Sequence, residues 1–316
     1  MLFRRGREGG SLTDICFRVC SMPRALKEVV IKYVFFLFAS ISIFILGLIV
    51  AFLFREGIPI FRVVSVRDFL FGGEWYPTFN PPSFGIWPLI VGSFIVTFFA
   101  TVIAVPLGVL SAVYISEIAP TWIKEILKPV IELLAGLPSV VLGFFGMVVL
   151  APWLQDTFDL PTGLNIVNAS IMLALMAVPT ISSISEDALY AVPKEFKEAS
   201  YALGATKAET ILKVTIPSAL SGISTAVILG MARAIGETMV VLMVAGGAVA
   251  IPESLFDSVR PMPASIAAEM GEAPFRSEHY HALFATGMVL FILTLAFNLI
   301  ADYVSNKFKE VGSATL

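Results

Sequence analysis

The sequence predicts an all-α membrane protein with six transmembrane helices. Of its 316 residues, 57% are hydrophobic and 14% are charged, and the mean hydropathy is +0.89. Soluble domains carry about 25% charged residues, so a chain this apolar must have lipid as part of its solvent. Its long apolar runs lack the alternation of an outer-membrane barrel and therefore favour helices. These observations argue against an ordinary soluble enzyme, a disordered linker and a nucleic-acid-binding protein.

Six segments are long and apolar enough to cross a bilayer, which requires roughly 20 residues. We expect spans near residues 29–54, 86–115, 130–150, 168–192, 216–250 and 283–303. The first is too long for a cleaved signal peptide, and no small-residue cleavage site follows it. Pro106, Pro138 and Pro179 fall well inside three spans and should kink them. The freed carbonyls would then face protein or water, as in a bundle with an internal pathway, although proline is common in membrane helices generally.

The distribution of positive charge predicts that both termini lie in the cytoplasm. Fifteen of the 21 lysines and arginines lie in the N-terminal tail, the second and fourth connections and the C-terminal tail, whereas five lie in the remaining loops. Positive residues favour the cytoplasmic side of a membrane. The resulting division is a cytoplasmic tail 1–28, a first helix with an external loop 29–85, a transmembrane core 86–305 and a cytoplasmic tail 306–316.

The cytoplasmic loop 193–217 predicts two short helices joined by a turn. Pro193 fits the first helical position, where its missing N–H removes no hydrogen bond, and Gly204 fits a left-handed cap at the end of the first helix. Thr206 and Glu209, three residues apart, match a capping box that opens the second helix. Such a rigid elbow indicates a docking element for a partner, and the alternative is an ordinary capped loop.

Within this loop, residues 198–200 (Glu-Ala-Ser), Gly204 and residues 214–217 (Val-Thr-Ile-Pro) resemble the EAA loop of ABC importer permeases. The family pattern has alanine at the position of Ser200, isoleucine at 214 and leucine at 216, and these small departures leave the elbow intact. The resemblance implies the type I importer permease fold and a coupling helix that docks on a separate ATPase subunit. The residues implied in this coupling are Glu198, Ala199, Ser200, Gly204 and Pro217.

Other segments narrow the resemblance to phosphate ABC permeases. Residues 233–247 resemble the fifth span of that family, and their Gly-Glu-Thr-Met run is closer to the PstC type than to the PstA type. Residues 135–143, 69–75 and 266–272 resemble its third span and external loops, and the similarity extends from about residue 29 to 309. It implies a PstA-like second permease, ATP-binding cassette ATPase subunits and an extracytoplasmic phosphate-binding protein as partners, in the plasma membrane of a prokaryote.

Arg233 and Glu237 are two charged residues expected inside the fifth span. They are four residues apart, so we expect them to share one helix face. An arginine at mid-membrane costs about 2.5–3.5 kcal/mol on insertion scales, and such residues usually face the bundle interior. The guanidinium fork matches a phosphate oxyanion, and Glu237 would hold it when no anion is bound. The alternative is a structural ion pair that neutralises itself. Gly230 and Gly236 would allow close helix approach.

The remaining sequence features argue against a metal site, a disulfide framework and an ATP-binding site in this chain. His279 and His281 lack carboxylate or thiolate partners in sequence, so we interpret them as solvated loop residues rather than metal ligands. Cys16 and Cys20 form no disulfide framework. No G-x-x-x-x-G-K-[ST] motif occurs, so any ATP dependence must come from a partner. We expect a transporter subunit without enzymatic chemistry, cofactor or metal. Another oxyanion, such as sulfate or molybdate, is the nearest alternative substrate, and a secondary carrier or channel would need no ATPase.

Overall fold

The structure, a computed structural model, describes residues 24–313, and it describes the side chains of residues 28–300, 302 and 303. Residues 1–23, which include both cysteines, and residues 314–316 lie outside the described part. The predictions made for the two tails, 1–28 and 306–316, therefore stay predictions.

The described chain is helical apart from its connecting loops and one small hairpin. The helices are α1 (Arg24–Gly57), α2 (Val66–Phe71), α3 (Trp87–Val113), α4 (Thr121–Ala135), α5 (Ser139–Phe145), α6 (Ala151–Phe158), α7 (Ile166–Tyr190), α8 (Lys194–Ala202), α9 (Lys207–Thr210), α10 (Ile216–Ser218), α11 (Leu220–Ile235), α12 (Met239–Val244), α13 (Met262–Glu269) and α14 (Glu278–Ser313). A 3-10 turn covers Ile58–Arg62, and π-helical turns cover Tyr114–Ile118, Gly146–Leu150 and Ile211–Thr215. Strands β1 (Trp75–Tyr76) and β2 (Ser83–Phe84) pair antiparallel, with Trp75 opposite Phe84.

Five helical segments of the described chain are long and apolar enough to cross a membrane. They are Glu28–Arg62, Trp87–Ile118, Ser139–Phe158, Ile166–Tyr190 and Glu278–Ile300. Lys207–Ser218 and Leu220–Ile235, bent by 68° at their junction, make a sixth if they form one broken span. The prediction of an all-α polytopic membrane protein is confirmed.

The third span begins later than predicted. α4 ends at Ala135, and the next helical segment starts at Ser139, after Pro138. A residue that precedes proline is disfavoured in the helical region, so the Gly136-Leu137-Pro138 sequence ends one helix and starts another. Pro138 therefore separates two helices instead of kinking one. Pro106 and Pro179 do lie inside α3 and α7, as predicted.

The fifth span is also broken, so the prediction of one helix over 216–250 was wrong. α11 ends at Ile235 and α12 begins at Met239. Gly236 is the C-terminal cap of α11, and Glu237 Oε1 accepts hydrogen bonds from the N–H groups of Met239 and Val240 at 3.2 and 3.4 Å. A side chain that satisfies free N–H groups at a helix start favours a new helix there.

α3 and α7 form the centre of the bundle, where two glycines permit close packing. A Cβ at Gly108 of α3 would lie 2.7 Å from Ile181 of α7, and a Cβ at Gly230 of α11 would lie 2.6 Å from the same side chain. Both glycines therefore allow helices to approach closely. The prediction holds for Gly230 but not for Gly236, where an added Cβ would meet only carbonyl oxygens of its own helix.

The chain divides into two compact units, residues up to Leu53 and residues from Phe54. In the first unit the apolar side chains of α1, such as Phe35, Phe36 and Ile43, are exposed, as expected for a helix that faces lipid. In the second unit, residues 58–84 share an apolar cluster with α13 and α14. The loop after the first span therefore belongs to the larger unit, and the functional boundary at 85/86 stays a prediction.

Candidate functional site

The first helix of the elbow has the predicted glycine cap. Gly204 follows the end of α8 with φ of +84°, a conformation that glycine adopts without steric cost. Its N–H donates to the Tyr201 carbonyl at 2.9 Å, and the Ala205 N–H donates to the Ser200 carbonyl at 3.2 Å. These two bonds define a Schellman motif. Pro193 lies one residue earlier than predicted, at the N-cap.

The second helix of the elbow opens with the predicted capping box. The Glu209 N–H donates to Thr206 Oγ1 at 3.3 Å, and the Thr206 N–H donates to Glu209 Oε2 at 3.0 Å. The Ser200 and Thr210 hydroxyl oxygens, 2.9 Å apart, join the two helices. Both ends of the turn are therefore fixed by internal hydrogen bonds, and the elbow is suited to move as one body.

One surface of the elbow is open. Glu198 and Ala199 are exposed, the Leu203 side chain is 90% exposed, and an added Cβ at Gly204 would meet nothing within 4 Å. Among the described residues, no hydrogen bond or ion pair involves the Glu198 side chain. An exposed leucine beside a carboxylate and a bare backbone turn is the kind of surface that a protein partner covers.

The other end of the elbow packs against the bundle. Ile211 and Ala219 are buried in an apolar cluster with Val113 of α3 and Leu189 of α7. Pro217 lies in α10, immediately before the 68° bend into α11. The elbow is thus continuous with the broken fifth span.

Arg233 and Glu237 are not paired in this structure. Arg233 Nη1 donates to Thr180 Oγ1 of α7 at 3.2 Å, whereas Glu237 caps α12. No ion pair within the described residues includes either side chain. The expected shared helix face is wrong because α11 ends between them. Both residues nevertheless line one narrow crevice, too tight to hold a water molecule, against Leu173, Met176 and Ala177 of α7.

A second polar cluster, which the sequence did not predict, centres on Glu269 at the end of α13. Its carboxylate accepts hydrogen bonds from Trp75 Nε1 at 3.0 Å and from Arg260 Nη1 at 2.6 Å, and lies 2.8 Å from His279 Nε2. These partners come from the hairpin, the preceding loop and α14, so one largely buried carboxylate joins three segments. We call these four residues the Glu269 cluster.

The two histidines have structural roles, and the prediction that they are solvated was wrong. His279 is buried beside Glu269, and His281 Nδ1 lies 2.7 Å from the Glu56 carbonyl oxygen. Each ring thus joins α14 to another segment. Within the described part of the chain, no group of three or more histidine, cysteine, aspartate or glutamate side chains is arranged to hold a metal ion.

Comparison with known proteins identifies the family. The family described as "Binding-protein-dependent transport system inner membrane component" matches residues 104–310. The chain belongs to this family of permeases. The match includes the elbow, the broken fifth span and α14, and it begins near the middle of α3. The chain is therefore a multi-pass membrane protein of the ABC importer permease family.

Curated relatives include permeases named for phosphate. The permease is 43% identical over 263 residues to "Probable ABC transporter permease protein YqgH" of Bacillus subtilis, with 83% of this chain and 85% of the relative covered. It is 36% identical to the phosphate transport system permease protein PstC of Xylella fastidiosa, covering 74% of this chain and 77% of that protein. The PstC protein of Pasteurella multocida is 34% identical, with 73% and 78% covered.

Solved structures share the fold at low identity. A bacterial alginate ABC transporter in complex with an alginate-bound periplasmic protein matches with a TM-score of 0.60 at 15% identity, covering 88% of this chain and 96% of that chain. The inward-facing methionine ABC transporter MetNI matches with a TM-score of 0.53 at 23% identity, covering 71% and 94%. The permease therefore has the type I ABC importer fold, as the resemblance implied.

Sequence reasoning missed three side chains that the permease structure brings into contact with candidate residues. Thr180 bonds Arg233, Glu269 organises the hairpin end of the molecule, and Glu117 pairs with Lys197 of the elbow. The contact of Thr180, the contact of Glu269 with Trp75 and the contact of Glu117 join residues 53, 194 and 80 positions apart in sequence. The acidic residues were visible in the sequence, but their partners depend on tertiary packing.

Proposed function

We propose that this permease is one of two membrane subunits of an ATP-driven phosphate importer, of the PstC type. The observation that carries ATP-driven import is the exposed, doubly capped elbow at residues 193–217, which matches the EAA pattern in spacing. Phosphate is favoured by the PstC names of the relatives from Xylella and Pasteurella and by Arg233 in the broken fifth span.

The elbow is the proposed docking element for an ATPase subunit. Glu198 and Ala199 present an exposed helix face, Gly204 keeps the following turn bare, and Ser200 fixes α8 to Thr210 of α9. A helix held at both ends transmits a displacement instead of absorbing it. Pro217 places the end of this elbow directly at the bend into the fifth span, so a displacement of the elbow reaches the helix that carries Arg233.

Arg233 and Glu237 are proposed to lie on the phosphate path. The guanidinium uses one N–H for Thr180 and keeps its other donors for an anion, and a planar fork of donors suits a phosphate oxyanion. Glu237 lies in the same crevice with its carboxylate engaged by backbone N–H groups. Its negative charge close to Arg233 would keep the site from retaining phosphate too tightly.

The elbow and the Arg233 crevice together support transport by alternating access. ATP closes the ATPase dimer, the elbows move, and the bundle opens outward to accept phosphate from an extracytoplasmic phosphate-binding protein. A PstA-like second permease supplies the other half of the path. The chain itself performs no covalent chemistry and uses no cofactor. In this arrangement the elbow and both termini are cytoplasmic, and the hairpin with the Glu269 cluster is external.

Two alternatives make different predictions. A permease for sulfate or molybdate would share the elbow but not the resemblance of residues 233–247 to phosphate permeases. A secondary carrier would need neither the elbow nor an ATPase. Uptake of labelled phosphate, sulfate and molybdate by cells that carry or lack this chain, with and without ATP depletion, separates the three. The proposal predicts uptake that requires the chain and stops when ATP is depleted. Uptake that persists without ATP would favour a carrier, and chain-dependent uptake of sulfate alone would favour another oxyanion.

A further inference from the structure

α8 carries the proposed docking face, yet it has no buried residue of its own. The apolar contacts of the elbow begin later, at Ile211, and they involve the segment that leads into the fifth span. α8 is therefore held to the bundle mainly by polar contacts. Ser200 bonds to Thr210, which belongs to the elbow itself.

One ion pair joins α8 to the rest of the molecule. Lys197 Nζ lies 2.6 Å from Glu117 Oε1, and their side chains are only 22% and 10% exposed. Among the described residues, this is the only side-chain hydrogen bond or ion pair from α8 to a helix outside the elbow. A charge-assisted bond this short and this sheltered from water is stronger than an exposed surface pair.

Glu117 lies at the end of the second span, where further polar contacts join it to α4. It belongs to the π-helical turn Tyr114–Ile118, which continues α3 to the end of the second span. The Ser116 hydroxyl donates to Glu117 Oε1 at 3.3 Å, and Lys124 Nζ donates to the Ser116 carbonyl at 2.7 Å, so the turn is braced against α4. α3 in turn packs along α7, where Ile181 fills the space left by Gly108.

We propose that the Lys197–Glu117 ion pair transmits movement of the elbow to α3, as a positioning contact in ATP-driven import. The inference rests on the proposed function, since it assumes that an ATPase drives α8. Lys197 and Glu198 are adjacent and have different roles. Glu198 faces the exposed side, where the ATPase docks, and Lys197, about 100° round the helix, ties α8 to the end of α3. The elbow thus acts on two spans, on α11 through Pro217 and on α3 through Lys197.

The test uses the complete complex, with second permease, ATPase and binding protein, reconstituted in proteoliposomes. The variants are Lys197→Met, Glu117→Gln and the charge exchange Lys197→Glu with Glu117→Lys. Lys128→Met is the matched control, because Lys128 pairs with Glu186 at 3.4 Å on the same end of the bundle and its side chain is 45% exposed. The measured quantities are the amount of ATPase that co-purifies, the rate of ATP hydrolysis and the anion taken up per ATP hydrolysed. Phosphate, sulfate and molybdate are tested separately, each with a binding protein for that anion.

The single variants should retain the ATPase and hydrolyse ATP, but uptake per ATP should fall by about fivefold or more, because each leaves one charge unpaired and frees α8 from α3. The charge exchange should restore at least half of the ratio, and Lys128→Met should behave as wild type. Normal ratios in both single variants would overturn the proposal, as would a charge exchange that restores nothing.

The anion that the wild-type complex transports shows whether a failure concerns the ion pair or the proposed phosphate function. If the wild-type complex transports sulfate or molybdate instead of phosphate, the phosphate assignment fails, and the ratio for the transported anion still decides the role of the ion pair. If the wild-type complex hydrolyses ATP and moves none of the three anions, both the proposed function and this inference are rejected.

Discussion

Arg233 Nη1 donates a hydrogen bond to Thr180 Oγ1 at 3.2 Å, which joins the last turn of α11 to the residue after Pro179 of α7. Other membrane threonines use their hydroxyl groups differently. Thr101, Thr286 and Thr294 each donate to a carbonyl four residues earlier in their own helix. Thr180 accepts from Arg233, and no acceptor for its own proton lies among the described residues. The guanidinium and the hydroxyl thus present donors side by side.

This contact predicts that Thr180 supports phosphate transport. Thr180→Val keeps the shape and removes the hydroxyl, so the maximal uptake rate should fall by about tenfold, as expected for the loss of roughly 1.4 kcal/mol from a hydrogen bond to a charged group. Thr180→Ser keeps the hydroxyl and should stay within about twofold of wild type. Initial rates of phosphate uptake by the intact complex measure both, and equal rates in the valine variant would contradict the role of Thr180.

The absence of an Arg233–Glu237 pair leads to a prediction about the double variant. Arg233→Gln should abolish most uptake while the complex still assembles. Because Glu237 caps α12 and does not neutralise Arg233, adding Glu237→Gln should not recover transport. Uptake and complex yield are measured together. Recovery of normal uptake in the double variant would show that the two residues serve only to balance each other.

We predict that coupling requires glycine at position 204 because of its backbone conformation. Space is not the reason, since an added Cβ there would contact nothing. A φ of +84° disfavours a β-branched residue, by roughly 1–2 kcal/mol, so Gly204→Val should distort the turn after α8. Glu198→Ala should weaken docking without changing the fold. In both variants, less ATPase should co-purify and uptake should fall. Gly271→Ala is the control, because an added Cβ there also meets nothing and no positive φ is needed. Wild-type co-purification and uptake in both variants would exclude the elbow as the coupling element.

The Glu269 cluster is predicted to stabilise the hairpin end of the permease. Glu269→Gln weakens charge-assisted bonds to Arg260 and His279, and bonds of this kind contribute about 1.5–3 kcal/mol. The melting temperature of the purified complex should fall by several degrees. Glu272→Gln is the control, since Glu272 is exposed and lines the same cleft as Arg260 without bonding it. Equal melting temperatures for wild type and both variants would indicate that the cluster does not stabilise the fold.

The charge distribution predicts cytoplasmic termini. A reporter enzyme that works only in the cytoplasm, fused after Leu316, should be active in intact cells. A fusion partner that works only outside the cell should be inactive at the same position. The reverse pattern would invert the topology and place the elbow on the side away from any ATPase.

Local patterns in the sequence were enough to predict an all-α polytopic membrane fold and the cap geometry of the elbow. The cap geometry depends on residues only a few positions apart, namely Gly204, Thr206 and Glu209. Such short spacings can be read directly from the sequence. The break at Gly236 was missed because residues 216–250 are apolar on average despite Arg233 and Glu237, and average hydropathy does not distinguish one helix from two.

The contacts of the candidate sites were less predictable. Arg233 was identified from the high free energy of a charge inside the membrane, but its partner Thr180 depends on how α7 packs against α11. His279 looked solvated because Glu269, its partner, lies ten residues away across a helix end. Such pairs are set by tertiary packing, which spacing along the chain does not specify.

Anion selectivity of the complete complex tests the central proposal most directly. The permease, its second permease subunit, the ATPase and the phosphate-binding protein are reconstituted in proteoliposomes, and labelled phosphate, sulfate and molybdate are offered with and without ATP. The account predicts that phosphate accumulates only with ATP, that an excess of sulfate or molybdate does not compete, and that Arg233→Gln abolishes accumulation. Phosphate accumulation without ATP, or ATP-driven accumulation of sulfate in place of phosphate, would contradict it.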